Sequence, residues 1–337
     1  MDVLSEVLRV VRLEGALFFN AEFSAPWCLS TRPSAIAPYL SPHDRQLIIY
    51  HFVTEGRAYA QLHDGQREEL SAGDVVVFPH GDPHLLGNGS SEPVDSMKTF
   101  GRSLSDGLNV ARFGGGGEVT RFVCGFMVCE PRLGQVFLGG LPRLLKVRVV
   151  AGASDEWLEQ AIRFSVGEHS ASNGTSPATR TSSAGSELVR SRLAELLFVE
   201  TLRRYINELP AGATGWLAGV RDSFIAHALA LLHKDPARPW TIADLAREVG
   251  LSRSRLAERF RHFLGESPMA YLAQWRLRLG AEILQTSDDS VAQVASAVGY
   301  GSEAAFNRAF KREFASPPAA FRQRHCGNGH PVTKARR

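Results

Sequence analysis

Two stretches of the chain repeat one pattern: REVGLSRSRLAERF at Arg247–Phe260 and SAVGYGSEAAFNRAF at Ser296–Phe310. Each contains a Val-Gly pair, a short polar turn, and a segment that ends in phenylalanine. Glycine readily adopts the left-handed backbone conformation at which many helices end. The pattern therefore predicts two copies of one unit, in which a helix stops at Gly250 or Gly299 and a second helix begins shortly afterwards.

Each copy has polar and apolar residues where two short helices need them. Thr241, Ser252 and Ser302 are expected to cap helices, because a hydroxyl oxygen can accept a hydrogen bond from an unpaired amide. Apolar residues recur on one face of each second helix: Leu256, Phe260 and Phe263 in the first copy, and Phe306, Phe310 and Phe314 in the second. A helix, a glycine turn and a helix make a helix-turn-helix.

The two copies are joined by MAYLAQWRLRLGAEIL, which has the apolar period of a helix. Leu272, Trp275, Leu279 and Ile283 are expected to lie on one face of it. A helix of roughly 17 residues is about 25 Å long. It can hold two recognition helices about one DNA turn, roughly 34 Å, apart. One chain would then supply what a dimer of simple helix-turn-helix proteins supplies.

These residues carry a resemblance to a known family. The stretch VGYGSEAAFNRAFKREFASPPAAFR, at 298–322, resembles the second helix-turn-helix signature of the AraC/XylS family of bacterial transcription regulators. Two positions depart from it, Ala315 where glycine is usual and Pro317 where serine or threonine is usual. The resemblance implies an all-α domain with two helix-turn-helix motifs that binds promoter or operator DNA, with RNA polymerase as a partner.

The exposed faces of the two recognition helices are the predicted DNA contacts. By the resemblance, Ser254, Glu258, Glu303, Ala304 and Arg308 occupy base-facing positions. Arg261, Lys311 and Arg312 are predicted to contact phosphates. Besides Arg261, the predicted DNA contacts are Arg253, Ser254, Arg255, Glu258, Arg259, Glu303, Ala304, Asn307, Arg308, Lys311 and Arg312. The alternative for each arginine is a solvated helix face.

Charge and composition agree with a nucleic-acid partner. Residues 221–337 hold 18 Lys and Arg against 11 Asp and Glu, a net charge of +7. A solvated basic tail would explain part of this excess. The longest apolar stretches fall far short of the ~20 residues that span a membrane, so we expect a cytoplasmic protein. Cys28, Cys124, Cys129 and Cys326 form no CxxC pair, which is typical of a reducing compartment.

The first half of the chain is different, with short β-rich runs between turn residues. The runs are RQLIIYHFV, RAYAQL, DVVVFP, VTRFVCGFMV and LLKVRVV, and residues 101–117 are expected to form a long loop between them. GDVVVFPHGDPHLLGN, at Gly73–Asn88, matches the second cupin motif at Gly73, Pro79, Gly81, His84 and Asn88. It resembles the cupin-type sensor domains that are fused to AraC-type DNA-binding domains, with His84 pointing into the barrel.

The first cupin motif would place its metal ligands at His43, Arg45 and Ile49, which is a poor donor set. We therefore expect no metal and no cofactor, and a small ligand near His43, Arg45, His51 and His84; the alternative for His84 is a hydrogen-bonded structural role. Cys28 and Cys124 are candidate redox-sensing thiols, although buried cysteine is more often inert.

The predicted fold is thus α+β with two domains, a cupin-like β-barrel followed by an all-α domain with two helix-turn-helix motifs. Boundaries are 1–152 for the sensor, 153–220 for a helical linker with a disordered loop at about 167–186, 221–325 for the DNA-binding domain and 326–337 for a basic tail. The helix in ELVRSRLAELLFVETLRRYINEL packs on the barrel or on a second subunit. We predict a regulator that responds to a small molecule or redox signal; the alternatives are a metal-dependent cupin enzyme and a constitutive DNA binder.

Overall fold

The computed structural model describes residues 3–11, 19–40, 45–89, 91–96, 111–131, 138–149 and 186–326, with single residues 13, 98, 134 and 160 between them. The chain divides into two compact units. The β unit comprises residues 13–209, and the helical unit comprises residues 1–12 together with residues 210–337. Residues 1–12, which the sequence prediction placed in the sensor domain, therefore cluster with the C-terminal helices. The predicted disordered loop lies outside the described residues, except for Ser186 at its end.

The described strands of the β unit form two sheets that share one core. They are β1 (Phe19–Ser24), β2 (Trp27–Thr31), β3 (Gln46–Glu55), β4 (Arg57–Leu62), β5 (Arg67–Ser71), β6 (Asp74–Phe78), β7 (His84–Asn88), β8 (Val94–Asp95), β9 (Ala111–Gly114), β10 (Val119–Cys129) and β11 (Leu145–Arg148). The strand order is β11-β6-β3-β10-β1-β9 in one sheet and β5-β4-β7-β2-β8 in the other. The predicted cupin-like β-rich domain is confirmed as a two-sheet arrangement.

Alternation along the strands decides which side chains enter this core. Ile49 and Val53 of β3 and Phe122 of β10 come from one sheet, and Trp27 and Leu86 come from the other. Because successive residues of a strand point to opposite faces, the intervening residues point away from the core. The core is therefore filled from both sheets, and a polar residue at an inward position must find its partner inside.

The strand predictions are confirmed for β3, β4, β6, β10 and β11. The predicted loop 101–117 is wrong over its last part, because Ala111–Gly114 forms β9, which pairs in parallel with β1. Residues 101–110 lie outside the described residues. Backbone pairing with a neighbouring strand can hold a glycine-rich segment whose side chains carry no strand pattern, so this strand was not predictable from its own residues.

Within the described ranges of the β unit, the helices with defined bounds are α2 (Pro33–Leu40) and α3 (Ser186–Glu208). The predicted helix in residues 187–209 is confirmed as α3, which contacts β10 and β11. Its buried face comprises Ala194, Leu197, Phe198, Leu202 and Ile206. Leu188, Val189 and Leu196 remain exposed on the same helix, so α3 is apolar on two faces.

The described helical unit is all-α, as predicted. Its helices are α1 (Val3–Val11), α4 (Trp216–Arg221), α5 (Ser223–Lys234), α6 (Ile242–Val249), α7 (Arg253–Leu264), α8 (Pro268–Thr286), α9 (Val291–Ala297), α10 (Glu303–Phe314) and α11 (Pro318–Cys326). Helix α1 packs its valines against α5 and α8. None of the helices that the structure describes is long and apolar enough to cross a membrane.

The predicted turns and caps are confirmed at both copies. Thr241 accepts a hydrogen bond from the Asp244 amide, and Ser252 and Ser302 cap α7 and α10 in the same way. Gly250 and Gly299 have φ of 74° and 86°, in the left-handed region. Helices α6–α7 and α9–α10 are therefore the two helix-turn-helix units.

The linking helix α8 differs from the prediction of one apolar face. Leu272 and Trp275 are buried, but Leu279 and Ile283 are only half-buried, while Leu277 on another side is buried. The reason is that α8 is packed from several sides, by α1, α9, α10 and α11. A helix surrounded in this way has no single buried stripe.

Ala315 ends α10 in the left-handed conformation, with φ 52° and ψ 18°, where the first copy has Gly265 at φ 76°. Ala315→Gly is expected to raise the free energy of unfolding by about 0.5–1 kcal/mol, because a Cβ is unfavourable in this conformation. Gly265→Ala, which meets no neighbouring atom, is expected to lower it by about 1 kcal/mol. Urea unfolding followed by circular dichroism measures both; shifts in the same direction would contradict the expectation.

Candidate functional site

The first recognition helix, α7, has one buried and one exposed face. Leu256 and Phe260 are fully buried. The exposed side chains at its N-terminal end are Arg253, Ser254, Arg255 and Glu258, followed by Arg261 and His262. Four of the predicted contacts are thus brought together on one accessible, largely cationic surface.

Arg259 lies elsewhere on α7. Its Nε donates to both carboxylate oxygens of Asp222, at 3.1 and 3.0 Å, and its Nη2 donates to one of them. The Asp222 side chain is 9% exposed and that of Arg259 is 33% exposed. Burial opposes the charge on Asp222, but the hydrogen bonds from Arg259 and from the Ile225 amide outweigh it and lower its pKa. The predicted DNA contact Arg259 is therefore engaged within the protein.

The second recognition helix, α10, repeats the arrangement with other residues. Phe306, Phe310 and Phe314 are buried. The exposed residues are Glu303, Ala304, Arg308, Lys311 and Arg312, and Asn307 is half-buried with its Nδ2 3.5 Å from Glu303 Oε1. Ala304, Arg308, Lys311 and Arg312 therefore lie on the side away from the phenylalanine stripe, while Glu303 and Asn307 lie next to the stripe at the start of the helix.

Polar groups that the sequence pattern did not indicate hold this frame together. Arg276 on α8 donates to the carbonyl oxygens of Pro236 and Arg238, at 2.7 and 2.9 Å. Tyr271 Oη is 2.8 Å from His233 Nε2 and 3.2 Å from Trp216 Nε1. These partners lie about 40 and 55 residues apart in sequence, so no spacing rule could have paired them.

In the β unit, His51, His84 and Cys124 form a chain of close contacts. His51 and Cys124 are paired across β3 and β10, and His84 begins β7. His51 Nδ1 is 2.9 Å from Cys124 Sγ, and His51 Nε2 is 3.2 Å from His84 Nε2. His84 Nδ1 is 2.9 Å from the Asp82 carbonyl oxygen, and its ring stacks on Phe78 at 3.6 Å.

The Asp82 carbonyl oxygen, at one end of this chain of contacts, fixes the direction of all three hydrogen bonds. A carbonyl oxygen can only accept, so His84 Nδ1 donates to Asp82, and the neutral His84 ring accepts at Nε2. His51 then donates from Nε2 and accepts the Cys124 thiol proton at Nδ1. Burial lowers the pKa of His84 to about 4, lowers the pKa of His51, and raises the pKa of Cys124. The cluster is therefore uncharged at neutral pH.

The other predicted sensor residues are not part of this cluster. His43 lies outside the described residues. Arg45 lies near Cys129 instead. Burial raises the pKa of the Cys129 thiol to about 12, and the positive charge of Arg45 opposes this rise. Cys28 points to the other side of its strand and accepts a hydrogen bond from Tyr59 Oη at 3.4 Å. The structure thus does not bring Cys28 and Cys124 together, and both are free thiols.

The donor set does not fit a cupin metal centre. One expected ligand position is Ile49, which packs in the apolar core. His51 and His84 offer two nitrogen donors, their Nε2 atoms, which lie 3.2 Å apart and are hydrogen-bonded to each other, and no carboxylate joins them among the described residues. Across the described ranges, no three His, Cys, Asp or Glu side chains form a group that could hold a metal ion. These residues are arranged as a hydrogen-bonded cluster instead.

Acid is expected to destabilise the β unit through this cluster. An unfolded histidine binds a proton near pH 6.5, whereas native His84 binds one only at about pH 4. The unfolded state therefore holds more protons between these values, and stability falls as the pH falls through this window, by about 2 kcal/mol at pH 5 for one such histidine. Urea unfolding at pH 7.5 to 4.5 measures the slope. His84→Gln should show a shallower slope, and an NMR titration of native His84 should give its low pKa directly; an ordinary pKa of about 6.5 would contradict this account.

Comparison with known proteins agrees with this arrangement of sheets and helices. A family model described as a cupin matches residues 2–207, and a helix-turn-helix domain model matches residues 245–324. A putative AraC-like transcription regulator of Streptomyces lividans is 30% identical over 96% of this chain and 98% of its own length. This chain belongs to the AraC-like transcription regulators. The HTH-type transcriptional regulator AlkR of Acinetobacter baylyi is 28% identical to this AraC-like regulator over 96% of the chain and 99% of its own length.

A solved structure of a DNA-binding domain matches part of this AraC-like regulator. The DNA-binding domain of AdpA, in complex with a target DNA, is 30% identical over 31% of this chain and 94% of its own length, with a TM-score of 0.30. The family assignment rests on the full-length relatives and on the two family models. It makes the protein a DNA-binding transcription regulator with a cupin domain and an AraC-type helix-turn-helix domain.

Proposed function

We propose that this AraC-like regulator reads an operator with α7 and α10, each in one half-site, and that a small molecule acting on the β unit changes this binding. The observation that carries the proposal is the pair of helix-turn-helix units that share one helix, α8, and expose different polar faces. Different faces on one frame predict two unlike half-sites for each monomer. RNA polymerase is the expected partner at the promoter, and the cytoplasm is where a DNA-binding regulator would act.

Base contacts are assigned to the exposed residues near the start of each recognition helix, where helix-turn-helix proteins contact base edges. Arginine can bind guanine with two hydrogen bonds, and glutamate can accept one from cytosine. The proposed base-facing residues are Ser254, Glu258, Glu303, Ala304 and Arg308, with Arg253, Arg255, Asn307, Lys311 and Arg312 as further contacts to bases or phosphates.

His51 and His84 remain the candidate effector contacts, because they lie on the inner face of the β unit. Cys124, which is hydrogen-bonded to His51, packs against the same core. The neutral state of all three groups favours an uncharged effector over an anion. A redox signal through Cys124 is the second candidate, but the raised pKa of its thiol makes the reactive thiolate scarce.

A homodimer through α3 is the proposed assembly. Leu188, Val189 and Leu196 are 62%, 55% and 38% exposed, which is unusual for three large apolar residues on one helix. In an antiparallel pair with a two-fold axis at Leu196, the two copies of Leu196 meet at the axis, and burial of these exposed apolar side chains suits a second copy of the chain.

Leu196→Glu is expected to convert the dimer to a monomer, because it places two carboxylates face to face at the two-fold axis. Sedimentation equilibrium at micromolar protein measures the mass. Glu208→Gln, an exposed change on the same helix, is the matched control and should leave the mass unchanged. A monomeric wild-type protein, or a dimer that persists in Leu196→Glu, would show that α3 does not form the proposed dimer interface.

The function is tested by selecting DNA from genomic fragments with the purified full-length protein and footprinting the recovered sites. The expected result is two protected half-sites per monomer, about one helical turn apart and unlike in sequence. Fragments recovered without sequence preference would overturn the proposal. A constitutive binder would show the same affinity with and without cell extract, and a metal-dependent enzyme would carry stoichiometric metal that is lost in His84→Gln.

A further inference from the structure

The chain segment Gly215–Asp222, which contains α4, contacts the first recognition helix at three places. The Gly215 amide donates to the Phe263 carbonyl oxygen at 2.8 Å. A Cβ on Gly219 would lie 3.4 Å from side-chain atoms of Phe263 and Leu264, so α4 runs close to the end of α7. The Asp222–Arg259 ion pair is the third contact. Together they fix α4 along the C-terminal half of α7.

Asp222 has two partners at once. One carboxylate oxygen accepts from the Ile225 amide at 3.0 Å and caps α5, while both oxygens bind Arg259. A bidentate arginine–carboxylate pair fixes orientation as well as distance. Arg259 also lies over the Phe224 ring, at 5.3 Å. The junction of α4 and α5 therefore determines where α7 points.

The second copy lacks this contact. Residues after the turn glycine align between the copies with an offset of 50, which pairs Arg259 with Ala309. A methyl side chain cannot form an ion pair, so α10 has no counterpart of it at this position. The two recognition helices therefore differ in their contacts with the rest of the helical unit, as well as in their exposed residues.

We propose that Asp222 and Arg259 form a clasp that orients the first recognition helix and leaves the second unaffected, with Arg259 a positioning residue and not a DNA contact. The proposal rests on the proposed function, in which α7 reads one half-site. The clasp joins α7 to the segment that follows residue 210, where the chain passes into the helical unit. Binding of α7 to the first half-site thus depends on the position of the segment that carries Asp222.

The test compares two variants in DNA footprinting, with the full-length protein and the duplex selected by the wild type. Asp222→Asn keeps an oxygen that can cap α5 but removes the charge that holds Arg259; Arg259→Gln removes the other partner. Each should weaken protection of the first half-site by about tenfold, as expected for coupled neighbours. The double variant should be no weaker than either single one. Protection of the second half-site should not change, which also shows that the protein is folded.

Arg247→Gln is the matched control, because it breaks another Arg–Asp pair in the same unit, with Asp244 at 2.8 Å on an exposed surface. It should leave both half-sites protected. If Arg259 contacts DNA instead, Asp222→Asn releases it and keeps or raises the affinity while Arg259→Gln lowers it. That opposite response, or equal loss at both half-sites, overturns the clasp. A wild-type protein that protects no half-site would instead overturn the proposed function.

Discussion

Phe310→Ala is expected to lower the free energy of unfolding of the helical unit by about 3–5 kcal/mol. The Phe310 side chain is 0% exposed. Its ring centroid lies 5.3 Å from that of Phe306, 4.4 Å from that of Phe314 and 5.3 Å from that of Phe321. Truncation removes both the buried area and these aromatic contacts, and three rigid rings leave little freedom for the cavity to collapse. A loss of this size is a large part of the stability of an ordinary domain.

Urea unfolding followed by far-ultraviolet circular dichroism measures this change, because the helical unit dominates that signal. Phe224→Ala is the matched control, since Phe224 is 37% exposed. It should cost less than about 1.5 kcal/mol. Equal losses in the two variants would mean that the phenylalanine stripe of α10 is not the core of the second helix-turn-helix.

Arg308→Ala is expected to weaken operator binding by about 1–3 kcal/mol, or roughly 5- to 150-fold. Arg308 is exposed on α10, one turn after Ala304 and opposite the buried Phe306. This places the guanidinium on the side that faces a major groove if α10 is a recognition helix. The stability of the protein should change little, because the side chain leaves the core untouched.

Fluorescence anisotropy with the selected duplex measures the affinity, and a set of single-base variants of the duplex measures the specificity. Lys311→Ala is the control for a phosphate contact. It should weaken binding to every sequence by a similar factor and make the slope of the logarithm of affinity against the logarithm of salt concentration shallower by about 1. Arg308→Ala, in contrast, should relax the preference at one base pair. Unchanged affinity and specificity in Arg308→Ala would show that α10 is docked differently.

Local features of both helix-turn-helix units could be predicted from the sequence. The caps at Thr241, Ser252 and Ser302 and the turns at Gly250 and Gly299 are where the pattern placed them. Each depends on the backbone geometry of a few consecutive residues, and such geometry limits the residue types that fit. The strands with clear β-rich runs were predictable for the same reason.

Other elements could not be predicted because their own residues carry no distinct pattern. Strand β9 is held by pairing with β1, and the glycine-rich sequence around it favours a loop. Helix α1 is amphipathic, but the pattern does not say against which part of the chain its valines pack. In the structure they are buried in the helical unit, and Arg9 lies 3.6 Å from Glu282 of α8. Contacts over such sequence separations depend on the whole fold.

The cluster of His51, His84 and Cys124 was also predictable only in part. The cupin motif predicted that His84 lies on a strand with its side chain directed into the β unit, and this is confirmed. The prediction was possible because the period of a strand fixes the direction of each side chain. The sequence did not indicate which side chains His84 contacts. The register between β3 and β10, set by the packing of two sheets, puts His51 opposite Cys124 and within reach of His84. Nothing in the sequence around each of these residues encodes that register.

The amino-acid sequence is sufficient to establish two helix-turn-helix units on one connecting helix, and to establish that the two units differ on their exposed faces. The period of the apolar residues and the chemistry of the caps and turns are local, and they are enough for that. The contacts of each polar residue, in contrast, depend on how the chain packs in three dimensions. Arg259 and Arg308 are both arginines on recognition helices, yet Arg259 is held by Asp222, 37 residues earlier, and Arg308 is exposed. A side chain's partner depends on which distant segment packs beside it, and local sequence does not specify that.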